Sequence, residues 1–230
     1  MNAKILTAEF QRQLEGAKQH FGPDVLVFED CIDQKGAHPE DYRNFETGFA
    51  AAAIDRRVAP GARMLDIGSN RLFIAGLSAR QRITTVDVRP RAFKCTNEEL
   101  LSADSKKLPL PDSSFDAVVS LNAIEHFGLG RYGEELDLDG DRKAFAEWRR
   151  VLRPGGHIIF STTVNSAGPA VAFNAHRVYS LAQIHALCAG FTPVEEAFFS
   201  HHFGACATLA DLKSTPGKWD LYAGVWQRPA

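Results

Sequence analysis

From residue 62 onward the chain alternates short apolar runs with segments of helical period, and that alternation restricts it to few folds. The runs fall at 62–66 (ARMLD), 82–88 (RITTVDV), 99–103 (ELLSA), 115–121 (FDAVVSL) and 157–163 (HIIFSTT), with two more at 193–200 and 219–226. Strands separated by helices pair in parallel and are covered on both faces, so the expected class is α/β. Residues 141–152 put Phe145, Trp148 and Leu152 on one helical face and stop at the Pro154-Gly155-Gly156 turn. Residues 180–189 open on a Ser180/Gln183 capping box, turn Leu181, Ile184 and Leu187 inward, and close at Gly190.

Ahead of this pattern the chain reads as helical. Leu6, Phe10, Leu14, Ala17 and Phe21 recur at helical spacing until Gly22-Pro23. A second helix is predicted from Pro39, with Tyr42, Phe45, Phe49 and Ala52 on one face. The expected division is a helical cap or lid over 1–58 and one compact domain over 59–230, a size that buries a sizeable core.

Composition excludes several function classes. Lys and Arg total 26 against 28 acids, a net charge of -2, which leaves no electrostatic case for nucleic acid or anionic membranes. The four cysteines, Cys31, Cys95, Cys188 and Cys206, form no CxxC pair, so free thiols are expected rather than a zinc site or a disulfide framework. No run is long enough to span a membrane, and the first residues lack a signal-peptide core. A cytoplasmic protein is the expectation; the oligomeric state, a homodimer included, is left open.

In open α/β sheets, ligands sit outside the carboxyl ends of the strands. The first strand ends at Asp66 and turns through Gly68, Ser69 and Asn70, where backbone N–H groups face a polar ligand edge. Asn70 and Leu72 stand where a dinucleotide loop carries glycine; Asn tolerates a left-handed turn, so Asn70 is expected to supply it. Asp87 ends the second strand, 19 residues after Gly68, the spacing of an acid that accepts ribose hydroxyls. An acid that merely caps its own turn, beside Arg89-Pro90, is the ordinary alternative. Asp104 and Ser105 follow the third strand, where a carboxylate meets the exocyclic amine of adenine.

This order of glycine loop, ribose acid, adenine acid and a strand followed by Glu125-His126 resembles the class I S-adenosylmethionine-dependent methyltransferases. The run "RVLRPGGHIIF" matches the same family's turn into its fifth strand, and the likeness covers roughly 62–226. It implies a Rossmann-like methyltransferase fold: a mostly parallel seven-stranded sheet, helices on both faces, an antiparallel last strand and the N-terminal cap. It implies S-adenosylmethionine as donor, held by Asp66, Gly68, Ser69, Asn70, Asp87, Asp104, Ser105 and Asn122. The missing glycines fit a donor that has no pyrophosphate to cradle. Two runs, "EHFGLGRYG" (125–133) and "FNAHRVYS" (173–180), resemble signatures of a bacterial methyltransferase-like family often found beside surface-polysaccharide and sugar-modifying genes. That likeness implies a small polar or sugar-type acceptor.

Methyl transfer to a hydroxyl needs positioning and the removal of one proton. His126, directly after the fourth strand, is the candidate base, with a turn-capping histidine as the alternative. Tyr42, Glu125, Arg131, Tyr132, His176 and Arg177 are candidates for the acceptor wall, Arg177 as a clamp for an anionic group. No metal site is assigned: His201 and His202 are adjacent and would point to opposite faces of a strand. The rival readings are a non-catalytic S-adenosylmethionine-binding module and a nicotinamide-dependent oxidoreductase.

Overall fold

The computed structural model describes residues 8–27, 41–212, 215 and 218–230. Leu6, Pro39 and Cys31 lie outside the described residues. Residues 1–39 and 40–230 form two compact units, each described by itself.

In the first unit, helix α1 (Ala8–Phe21) carries Lys18–Glu15 and Gln13–Glu9 pairs and ends at Gly22, whose φ of 74° is a left-handed stop.

The second unit is a sheet between two helical layers. Strands β1 (Arg63–Ile67), β2 (Arg82–Asp87), β3 (Glu98–Ser102), β4 (Phe115–Leu121) and β5 (Leu152–Val164) pair in parallel, with β1 between β2 and β4. The hairpin strands β6 (Ala170–Ala172) and β7 (His176–Val178) form a separate two-stranded sheet. Strands β8 (Thr192–Ser200), β9 (Ala205–Ala207) and β10 (Asp220–Gln227) complete the main sheet in the order β3-β2-β1-β4-β5-β10-β8-β9. Strand β10 runs antiparallel between β5 and β8, as expected of the last strand. The seven expected strands are present; β9 is an eighth, a three-residue edge strand whose exposed residues carry no alternating pattern.

Period-two alternation puts each strand's side chains into two cores. Leu65, Val118, Ile158 and Phe160 meet α4 (Gly140–Val151) and α5 (Leu181–Leu187) through Phe145, Trp148 and Ile184. Met64, Ala117, Val119 and Ile159 meet α2 (Tyr42–Arg57) and α3 (Arg71–Leu77). Helix α5 starts on the Ser180/Gln183 capping box predicted for it.

Helix α2 departs from the expected face. Asp41 caps it in a box with Asn44, and its buried stripe is Glu46, Ala50, Ala53 and Ile54. Ala52 is exposed. Small alanines let the helix axis approach the sheet, while Phe45 and Phe49 flank the contact, Phe45 against Phe199 at 5.7 Å.

The chain leaves β1 toward β2 on one side and reaches β4 on the other. This reversal opens a crevice at the carboxyl ends of β1 and β4.

Candidate active site

The crevice holds a cavity of about 580 Å³, counting its open mouth, lined by Gly68, Asp87, Asp104, Ser105, Asn122, His126 and Tyr132 among others. Gly68 takes the left-handed turn with φ 68°, and a Cβ there would lie 3.1 Å from the Ala123 Cβ. Asn70 does not supply that turn. Its φ is -58° and ψ 130°, and its side chain accepts the Leu72 N–H to cap α3. A single left-handed glycine makes the bend, so the following residue is free to start the helix.

Asp66 and Ser69 sit behind the loop rather than on the cavity wall. Asp66 is fully buried, and burial pushes its carboxyl up to about 7; its Oδ1 accepts the Ser69 N–H at 3.2 Å. The Ser69 hydroxyl oxygen accepts the Leu121 N–H, tying the loop to β4.

Asp87 and Asp104 reach the cavity from neighbouring strand ends. Asp87 accepts the Arg89 backbone N–H at 3.0 Å and takes the Arg89 and Arg91 guanidiniums, so turn capping and cavity lining coexist in one residue. Although its burial opposes ionisation, these bonds hold its carboxyl below the usual range. Asp104 accepts the Lys106 N–H. Ser105 is buried and accepts from the Trp148 indole N–H at 2.9 Å, which anchors the adenine-side loop to α4. Asn122 adopts φ 48°, and its Oδ1 is buried without a hydrogen-bond partner.

Three carboxylates, Asp87, Asp104 and Glu134, line the cavity beside Asn122, Arg89 and Lys106. A ligand rich in hydroxyl and amino donors fits this set. S-adenosylmethionine has such donors in its ribose hydroxyls, its adenine amine and its ammonium group.

At the mouth, a short 3-10 turn, Ile124–His126, carries the Glu-His pair. The His126 Nδ1 lies 2.6 Å from the Ala175 carbonyl oxygen, which only accepts, and 3.1 Å from Arg131 Nη1; the shorter contact assigns the proton to Nδ1 and the lone pair to Nε2. Burial lowers the His126 pKa to about 4. Nε2 lies 3.8 Å from Glu125 Oε1. Glu125 is buried, its carboxyl is pushed up to about 7 by desolvation, and its Oε2 accepts from Thr162 at 3.1 Å.

The two signature stretches pack against each other. Arg131 Nη1 donates to the same Ala175 carbonyl at 2.9 Å, and His176 stands 6.4 Å from the His126 ring. Arg177 is drawn inward rather than left open as a clamp: it donates to the Phe127 and Leu138 carbonyls, with its Nε 3.5 Å from Asp141. Tyr132 lies on the donor side under the Arg89 guanidinium, 4.6 Å from its ring centroid.

Sequence reasoning missed the rest of the wall. Rings continue from His176 to Trp219 at 6.3 Å, from Trp219 to His201 at 4.2 Å, and from Trp219 to Tyr42 at 5.3 Å. Arg43 lies over Tyr42. Trp219 and His201 flank strands and belong to no motif. Glu46 carried a legible signal, an acid inside the apolar stripe of a helix. No cluster of metal-ligating side chains occurs among the described residues, where also no helix is long and apolar enough to cross a membrane.

Residues 65–160 match a protein-family profile described as a methyltransferase domain. Two curated relatives are malonyl-[acyl-carrier protein] O-methyltransferases. That of Serratia marcescens is 29% identical over 130 residues, 49% of this chain and 47% of that protein. That of Marinomonas sp. (strain MWYL1) is 30% identical over 127 residues, 55% of this chain and 38% of that protein. The matches thus span half or less of these relatives' length. Among solved structures, the N-methyltransferase NodS of Bradyrhizobium japonicum WM9, in complex with S-adenosyl-L-homocysteine, superposes with a TM-score of 0.58 at 18% identity, over 82% of this chain and 87% of that one. At that identity the likeness concerns the fold.

Proposed function

We propose that this chain, which carries a class I S-adenosylmethionine-dependent methyltransferase domain over residues 65–160, transfers a methyl group to a hydroxyl of a small polar, sugar-type acceptor. The observation that carries the reading is the cavity of acceptor groups opening directly onto a neutral histidine at the end of β4. When bound, S-adenosylmethionine supplies a methyl group already activated on its sulfonium. Asp87, Asp104 and Asn122 hold the donor, and Gly68 keeps the loop free of a side chain where it passes.

His126 acts as the base. Its Nδ1–H is committed to Ala175, which fixes the ring and leaves Nε2 to take the acceptor's hydroxyl proton as the oxygen gains the methyl. Glu125, beside Nε2, stabilises the imidazolium that results. The ring strip of Tyr42, His176, His201 and Trp219 offers faces for the apolar side of a sugar ring. Its two histidines, and His126 beside them, are held toward neutrality by burial and so serve hydroxyls as uncharged partners. Arg43 and Arg131 supply charge for an anionic substituent.

The test is incubation with methyl-labelled S-adenosylmethionine and a panel of nucleotide sugars and polysaccharide fragments, read by mass spectrometry. Label on a sugar oxygen is expected. Label only on amine or carboxyl acceptors contradicts the acceptor reading, and donor binding without transfer to any acceptor supports a non-catalytic module.

A further inference from the structure

Glu46 lies in the second turn of α2 and is fully buried, in one stripe with Ala50, Ala53 and Ile54. A buried acid is costly unless its oxygens are served by donors. Here they are. Oε1 accepts from Arg43 at 2.7 Å, and Oε2 accepts from both the Asn122 side-chain amide and the Ser161 hydroxyl at 2.6 Å.

One of those Oε2 bonds comes from Asn122 itself, and the other reaches Asn122 through Ser161. The Asn122 side-chain amide donates to Glu46 directly, while its backbone N–H donates to the Ser161 oxygen, whose own hydroxyl points to Glu46. Asn122 holds a left-handed backbone at the donor cavity, where two tethers are needed to keep side chain and backbone in one arrangement. An amide has two unlike ends. With Nδ2 taken by a carboxylate, which only accepts, the amide cannot rotate by half a turn without setting two acceptors against each other. Oδ1 is therefore the end left over, and it is the buried atom that has no partner.

We infer that Glu46 is a positioning residue for donor binding: it locks the Asn122 amide in one orientation and, through Ser161, holds the left-handed backbone of the residue by which the end of β4 lines the cavity. The inference rests on the donor reading proposed above. It also gives α2 a part in the site beyond packing, because the lock joins the helix to the ends of β4 and β5.

A double-variant cycle tests it, by calorimetric titration of S-adenosylmethionine into the full chain. Asn122→Gly keeps the left-handed backbone and removes the amide; Glu46→Gln keeps the shape and lets the amide turn. Each is expected to weaken binding about tenfold, and the double variant to bind within about twofold of Asn122→Gly alone, because Glu46 acts through an amide no longer there. If Glu46→Gln does not fold, Glu46→Asp takes its place in the same cycle, with the same coupling expected. Unchanged binding in the Glu46 variant overturns the inference, as do losses that multiply in the double variant, the result of a merely structural role. A wild-type chain that binds no S-adenosylmethionine overturns the donor reading itself, and this inference with it.

Discussion

The environment of His126, the base proposed above, decides its protonation before any substrate arrives. Burial holds its pKa near 4, so the imidazole is neutral at any pH above that value. The acid limb of kcat is accordingly expected near pH 4 to 5, below the ordinary histidine value of about 6.5. Glu125, with its pKa near 7, is a neutral acid below that pH and a carboxylate above it. A carboxylate beside Nε2 favours the imidazolium, so turnover should rise further through pH 7, and Glu125→Gln should remove that rise. His126→Ala should lower turnover about 100-fold or more while leaving donor affinity unchanged. Full activity in that variant removes His126 from the chemistry, and an acid limb at 6.5 assigns the base to a more solvated group. None of this was legible in "EH" alone: the sequence places the pair after a strand, but the Ala175 carbonyl that fixes the tautomer comes from 49 residues away.

Between elements, the site depends on glycines that let backbone segments touch. Gly128 follows the 3-10 turn with φ 75°, and a Cβ there would lie 2.0 Å from the Asp137 carbonyl oxygen; Gly140, at the start of α4, faces it at similarly close range. Gly128→Ala is expected to destabilise the fold by about 2–4 kcal/mol in urea denaturation, from the clash and the left-handed backbone together. A change below about 0.5 kcal/mol would mean that the loop relaxes at little cost. In the run "EHFGLGRYG", Gly128 sets the close crossing and Arg131 meets the "FNAHRVYS" hairpin. Helix α2 shows the opposite case. Its existence was legible from period, yet the stripe was misplaced because the aromatic residues outweighed the alanines that make the close contact.

For the whole molecule, period-two alternation in the central strands and helical period between them made the sheet legible almost strand for strand. These signals come from burial on two faces, which local sequence records directly. Gly68, Asp87, Asp104 and Asn122, singled out by their places at the strand ends, all line one cavity. The ring strip was legible only in part: Tyr42 and His176 were candidates, whereas His201 and Trp219 join them from distant segments through tertiary packing. The loop that opened without its second and third glycine illustrates both sides: Gly68 served as expected, while Asn70 turned out to cap a helix.

The central claim, that this cavity holds S-adenosylmethionine with its ribose on Asp87, is tested most directly by calorimetric titration of that donor into the wild-type chain and Asp87→Ala, with a nicotinamide dinucleotide as the control. Binding of S-adenosylmethionine but not the dinucleotide is predicted, weakened in Asp87→Ala by about 1–3 kcal/mol. Equal affinity in the two proteins, or heat only from the dinucleotide, would contradict it.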